Sequence, residues 1–395
     1  VLHTPEEEIL RRVAAVQEAM RARGMDFALV VQNADLYYLS GTIQQSHLVL
    51  PAEGEPTLLV KRDVERAREE SPLLRIEEMG SMRDLTSRAK ELGLSGSVEV
   101  GVELDVLPVA LFRRYESLFP EASFSDCSGI IRSARAVKSS FEVNIMRRAA
   151  SVAERTVLGL QDVFKEGMSE VEVAGHLEGM ARRYGTSGMI RFRGFNQEMV
   201  PAHVMAGPEA ALPSYLDTPL GGRGMTPGVP QGPGERVIGR DEPIIVDFVS
   251  PVDGYLVDQT RVFFMGRLPD KMIKAYEACT EVQSIISAGM RPGVPAGEVY
   301  EAAVEYMESR GYGDNFMGYR GKQVHFVGHG VGLELDELPV IARGVDRPLE
   351  TGNVIACEPK VVFPGEGVVG IENTWLVTED GAQRLTVSDE RLVQL

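Results

Sequence analysis

PIIVDFVSPVDGYLVDQTRVFF (243–264) holds two runs of β-branched and aromatic residues separated by Pro251-Val252-Asp253-Gly254. Proline, aspartate and glycine in that order are turn chemistry, so the stretch reads as an antiparallel hairpin. Closing it across those four residues sets Asp247 directly opposite Asp258 on one face, with Cβ atoms roughly 4.5–5.5 Å apart. A second stretch repeats the device. VIACEPKVVFPGEGVVGIENTWLVT (354–378) turns at Pro364-Gly365-Glu366-Gly367, and pivoting on Gly365 brings Glu358 opposite Glu372. Like charges directly opposite one another destabilise a sheet, and four carboxylates in a low-dielectric interior stay ionised only beside positive charge. Two divalent cations would supply it. Between the hairpins, HFVGHGVGLELDELP (325–339) offers His329 as a neutral nitrogen donor among glycines that let the backbone come close. Four carboxylates and one imidazole suit Mn²⁺, Co²⁺, Fe²⁺ or Zn²⁺ better than Mg²⁺ or a structural zinc, which would want cysteine.

Taken singly, an acid beside a turn is usually solvated or capping, and a histidine in a glycine-rich stretch usually bonds a backbone carbonyl. The joint pattern is what carries weight. Asp247, Asp258, His329, Glu358 and Glu372 resemble, in type and interval, the five metal ligands of the pita-bread metallohydrolases, which include Xaa-Pro aminopeptidases, prolidases and methionine aminopeptidases. The similarity extends over the chain, because residues 1–132 resemble the smaller N-terminal domain of the prolidase and creatinase branch. It implies an α/β N-terminal domain (1–132) followed by an α+β pita-bread catalytic domain (133–395). It also implies two ions bridged by Asp258 and Glu372, with Asp247 completing one ion and His329 and Glu358 the other. Glu358 is the family's usual general base. Two such ions, about 3.5–4 Å apart, would hold a water, lower its pKa and polarise a carbonyl.

Three departures from the peptidase pattern bear on substrate. The family's peptidases place a histidine after an Ala-Leu-Pro sequence and another seven residues beyond the metal histidine; here those positions are Ser214 and Asp336. Where the branch tends to have arginine, two residues before the last metal glutamate, this chain has Gly370. An ionised Asp336 cannot donate a hydrogen bond, repels a carboxylate and attracts an ammonium, whereas Ser214 still donates but reaches less far. His325, four residues before His329, is a candidate for substrate contact and compensation. His203 in VPAHVMAG is a less pointed one, and Arg191 and Arg193 alternate on an expected strand, Met189–Phe195, where they could anchor an anion. Three functions follow as expectations: an exopeptidase of the Xaa-Pro aminopeptidase and dipeptidase kind acting on short peptides, a hydrolase or lyase of a small non-peptide, cationic substrate, or a catalytically silent binding protein on a peptidase fold, which the complete ligand set disfavours. Glu358, His325, Ser214 and Asp336 are the catalytic candidates.

Composition narrows the partners. The 395 residues are 44% hydrophobic, enough for two cores, and a net charge of −17 argues against nucleic acid or an anionic membrane as partner. Three widely spaced cysteines make no disulfide framework and suit a reducing, cytoplasmic setting. The N-terminal segment is charged from Glu6 onward, unlike a targeting signal. The resemblance implies a homodimer.

The flanking chain reads as alternating strands and helices up to the boundary segment 130–150. Thr4-Pro5-Glu6-Glu7 is expected to cap the first helix with Thr4, and Ser139/Glu142 and Ser169/Glu172 to open two later helices as capping boxes. The glycine- and proline-rich stretch Pro213–Pro243 is expected to be a lid, a binding loop or a subunit contact.

Overall fold

The computed structural model describes residues 2–395, which divide into two units: the chain up to Arg135 together with Arg193–Phe195, and Ala136–Phe192 with Asn196–Leu395. The first unit is built on a six-stranded mixed sheet in the order Ile76–Glu78, Thr57–Val60, Ser46–Pro51, Phe27–Val30, Glu99–Val102, Ser123–Asp126. The central strand, Phe27–Val30, runs parallel to Glu99–Val102 and antiparallel to Ser46–Pro51. Its helices include Glu6–Ala22, which buries Ile9, Val13, Val16 and Met20 at helical spacing. That helix starts at Pro5 and has no side-chain cap; the Thr4 hydroxyl is buried without a partner, so the expected Thr4 cap is not formed.

A buried ionic network ties this unit together. Asp35 Oδ1 accepts from Arg135 at 2.6 Å and Oδ2 from Arg193 at 2.8 Å, while Arg193 also grips Asp105 through two bonds of 2.6 and 2.9 Å. Arg193 is therefore a structural ion-pair partner and not an anion anchor. No strand forms over 189–195, where irregular backbone carries Arg193 to its acids. Burial, and after it the Asp35 charge, pushes the nearby Glu103 carboxyl well above the usual range.

In the second unit Ser140–Leu158 and Glu170–Tyr184 both begin with complete capping boxes, Ser139 with Glu142 and Ser169 with Glu172. Two further long helices, Asp270–Gly289 and Ala296–Ser309, bury Ala275, Cys279, Val282, Ile286, Val299 and Ala303 in a core shared with strand residues Ile245, Val262, Ile355 and Val369. The strands form a four-stranded sheet, a five-stranded sheet and a separate hairpin, Lys360–Phe363 with Gly367–Gly370. All three cysteines are buried and unpaired. Among the described residues no helix is long and apolar enough to cross a membrane.

The first hairpin, Pro243–Val252 with Tyr255–Phe264, differs from expectation in register. Its loop is only Asp253-Gly254, with φ of 46° and 89°, so Val252 pairs with Tyr255 and Asp247 faces Thr260. Two positive-φ residues make the tight turn whose twist matches the strands, which draws Val252 into the ladder. Asp258 lies opposite Val249 and thus diagonal to Asp247, still on the same face because the slip is an even number of residues. The second hairpin keeps its expected register: Val354 pairs with Leu376 and Cys357 with Asn373 on one side, and Lys360 with Gly370 on the other, which leaves Glu358 opposite Glu372.

Candidate metal centre

One row of side chains crosses the four-stranded sheet and continues onto the next strand. His203 pairs with Asp247, Asp247 with Thr260, and Thr260 bridges to Glu372. Thr260 Oγ1 donates to Glu372 Oε2 at 2.7 Å. His329 lies on Phe326–Gly330, whose partner strand Val354–Cys357 leads directly into Glu358, and the Glu358 amide donates to the Val327 carbonyl. Asp258, His329 and Glu372 are buried and bring one ligand atom each to within 4.8 Å of one another.

Their chemistry fits a divalent ion. His329 Nδ1 lies 3.1 Å from the Leu335 carbonyl; donating a proton there leaves Nε2 as a lone-pair donor toward the cluster. Glu372 Oε1 is buried with no hydrogen-bond partner, a costly state for a carboxylate oxygen unless a cation meets it. Burial, followed by the charges of Glu372 and Asp247, pushes the Asp258 carboxyl well above its usual range. Burial also raises Glu372 to about 7, against the opposing pull of Lys360. Asp247 goes the other way: burial would raise it, but Lys360 and His203 beside it hold it below the ordinary value. Burial would lower His329, and Asp336, Glu358 and Glu372 together hold it up.

The pocket over this cluster is walled by Phe192, Met199, Leu216, Phe326 and Leu335, with Gln197, Thr218 and Gln231 as neutral polar groups. Asp217 and Asp336 are its acids outside the cluster, and among the described residues no lysine or arginine lines it. Leu216, Asp217, Thr218 and Gln231 come from the glycine- and proline-rich stretch, which therefore forms part of the pocket wall.

The candidates picked from sequence separate here. Asp336 lines the pocket, with Oδ1 3.6 Å from His329 Nδ1. Ser214 does not: its Oγ accepts from the Leu216 amide at 2.9 Å and it lines an adjoining pocket with Tyr319 and Lys322. His325 is exposed and outside the pocket wall, because the ladder is irregular between Phe326 and Gly328 and breaks the alternation that would put it beside His329. His203, given less weight, is fully at the site, paired across the ladder with Asp247; burial lowers its ring below the usual histidine value, against the opposing pull of Asp247. Lys360 was not picked out at all. The signal was present: it stands two residues after Glu358, on the same strand face, ahead of the apolar run Val361-Val362-Phe363.

An N-terminal α/β unit joined to a unit with this acid-rich cluster between antiparallel sheets defines a pita-bread metallohydrolase. Residues 144–379 match metallopeptidase family M24 and residues 12–137 match the creatinase/prolidase N-terminal domain, and the chain belongs to the M24 family. It is a metal-dependent hydrolase. The Xaa-Pro dipeptidase of Pyrococcus furiosus is 26% identical over 386 residues, covering 97% of this chain and 99% of that protein. Among solved structures, an Xaa-Pro dipeptidase from Bacillus anthracis superposes with a TM-score of 0.84 at 25% identity, over 98% of this chain and 100% of that one. The prolidase of Pyrococcus horikoshii gives 0.81 at 26% identity, over 97% and 100%.

Proposed function

We propose that this protein is an exopeptidase that removes the first residue from short Xaa-Pro peptides, binding the substrate by its amino end. The observation that carries this is the convergence of Asp258, His329 and Glu372 beneath a pocket in a chain aligned over nearly its full length with Xaa-Pro dipeptidases. A bound divalent ion supplies Lewis acidity toward a carbonyl and makes water nucleophilic near neutral pH. Glu358 is suited to act as general base: Lys360 holds its Oε2 at 2.5 Å, while its Oε1, 3.8 Å from His329 Nε2, is the oxygen left to take a proton from attacking water. The apolar wall of Phe192, Leu216, Phe326 and Leu335 suits a side chain and a pyrrolidine ring. Asp336 and Asp217 suit a substrate ammonium, and the absence of a lining lysine or arginine among the described residues disfavours a free carboxylate.

The two lining acids outside the cluster, Asp217 and Asp336, also support a second reading, hydrolysis or lysis of a small cationic non-peptide. One panel separates the two. Xaa-Pro-Yaa amides, Xaa-Pro dipeptides and their N-acetylated forms are offered to metal-loaded protein, with Asp336→Asn alongside. The expected order is amide, then dipeptide, then acetylated peptide, with KM for free-amine substrates raised about tenfold in Asp336→Asn, the scale of one partly exposed charge-assisted bond. A preference for N-acetylated substrates defeats the amino-end assignment. If nothing in the panel is cleaved while small cations shift the melting temperature in an Asp336-dependent way, the second reading stands.

A further inference from the structure

Lys360 pairs across the ladder with Gly370, and its side chain is wholly buried. Its ammonium lies 2.5 Å from Glu358 Oε2, 3.3 Å from Glu372 Oε2 and 3.4 Å from Asp247 Oδ2. Three N–H donors thus meet three carboxylates, which is the full capacity of an ammonium. These three acids are drawn from the ligands that the family resemblance divides between two ions. A dication on the same oxygens would need distances of about 2.0–2.2 Å, too short to share with an ammonium in their midst.

Gly370 accounts for the entry of the lysine. A Cβ at that position would lie 2.5 Å from Lys360 Cγ, so only glycine leaves room for the stem. The arginine expected at position 370 is missing, and a cation reaches the cluster from the residue directly opposite. The oxygens the lysine does not use remain available: Glu372 Oε1 has no partner, and Asp258 and His329 lie beside it.

Building on the metal centre proposed above, we infer that the Lys360 ammonium occupies the place of one of the two divalent ions, so that the centre holds a single ion on Asp258, His329 and Glu372. Lys360 and Gly370 form one device, in which a fixed side-chain charge replaces an exchangeable ion and keeps Glu358 turned toward the remaining one.

The test is metal stoichiometry. Full-length protein stripped with chelator is titrated with Mn²⁺ by calorimetry, and the metal retained after desalting is measured by elemental analysis. Wild type is expected to bind one ion per chain, with the paramagnetic resonance spectrum of an isolated Mn²⁺. Lys360→Met, purified with manganese present, keeps the volume and removes the charge. It is expected to bind a second ion about a hundredfold more tightly or better than wild type, as removal of a unit charge a few ångströms away requires, and to give an exchange-coupled spectrum. Two micromolar sites in wild type overturn the inference, as does a folded Lys360→Met that still binds one ion. If Lys360→Met does not fold, the wild-type stoichiometry decides alone. Failure of the metal centre itself looks different: wild type then binds no ion at all.

Discussion

Asp258→Asn is expected to bind no divalent ion at micromolar concentration and to lose about three orders of magnitude or more in kcat/KM, the scale of removing a principal electrostatic element of an active site. In chelator it is nevertheless expected to melt above the wild type. Asp258 is buried beside Glu372 and Asp247, and its ionised form is opposed first by burial and then by those two charges. The amide keeps what the carboxylate does structurally. Its oxygen still accepts from the Gln259 amide, a bond of 2.8 Å, and its NH₂ gains the ability to donate to a neighbouring carboxylate. Relief of a buried charge that Lys360 offsets only in part is worth about 1–3 kcal/mol. Metal reverses the order: at a hundredfold excess over Kd the wild type gains about 2.7 kcal/mol and the variant gains nothing. Melting curves with chelator and with saturating Mn²⁺ should therefore cross. A variant that melts below wild type in chelator would make Asp258 a structural acid and remove it from the centre.

The opposition of charge that this experiment exploits was legible because it is local. β-Branched runs around Asp253-Gly254 and around Gly365 give two hairpins, and alternation along a strand then fixes which acids share a face. The register of the first was misjudged by two residues, since the number of residues a turn consumes depends on whether Asp253 accepts positive φ, yet an even slip leaves Asp247 and Asp258 on the same side. What escaped was set by other segments. His325 needed regular alternation through Phe326–Gly328, and the ladder is irregular there. Ser214 needed the path of an irregular loop, which brings Asp217 and Thr218 to the pocket instead. His203 is a lesser candidate in the sequence, because only the pairing of its strand against Asp247 brings it to the cluster. An isolated lysine in a strand ordinarily marks a solvated edge, and only the space above Gly370 lets Lys360 turn inward.

Asp35→Asn is expected to cost the most stability of any conservative change in the N-terminal unit, about 3–5 kcal/mol, because removing one partner strands buried opposite charge. Arg135 and Arg193 are 2% and 6% exposed at their side chains, so water cannot replace the lost carboxylate. Asparagine retains one acceptor oxygen for two guanidinium groups, and its NH₂ faces the other. Burial, the first cause of the raised Glu103 carboxyl, persists in the variant, while the contribution of the Asp35 charge is lost. The dependence on pH has a definite sign. Burial would raise the Asp35 carboxyl, but Arg135 and Arg193 outweigh it and hold it below the ordinary value. A depressed carboxylate contributes stability that is complete above the unfolded pKa, about 3.9, and is lost as pH falls through the folded value. Calorimetry of both proteins should thus show a gap that is the same at pH 7 and pH 5 and closes only below about pH 4. Because a two-unit chain need not unfold in one step, the gap is read on the transition that moves. A gap that narrows between pH 7 and pH 5 would mean that Asp35 is not ionised in the folded protein, and its ion pairs with Arg135 and Arg193 would not account for the burial of the two arginines.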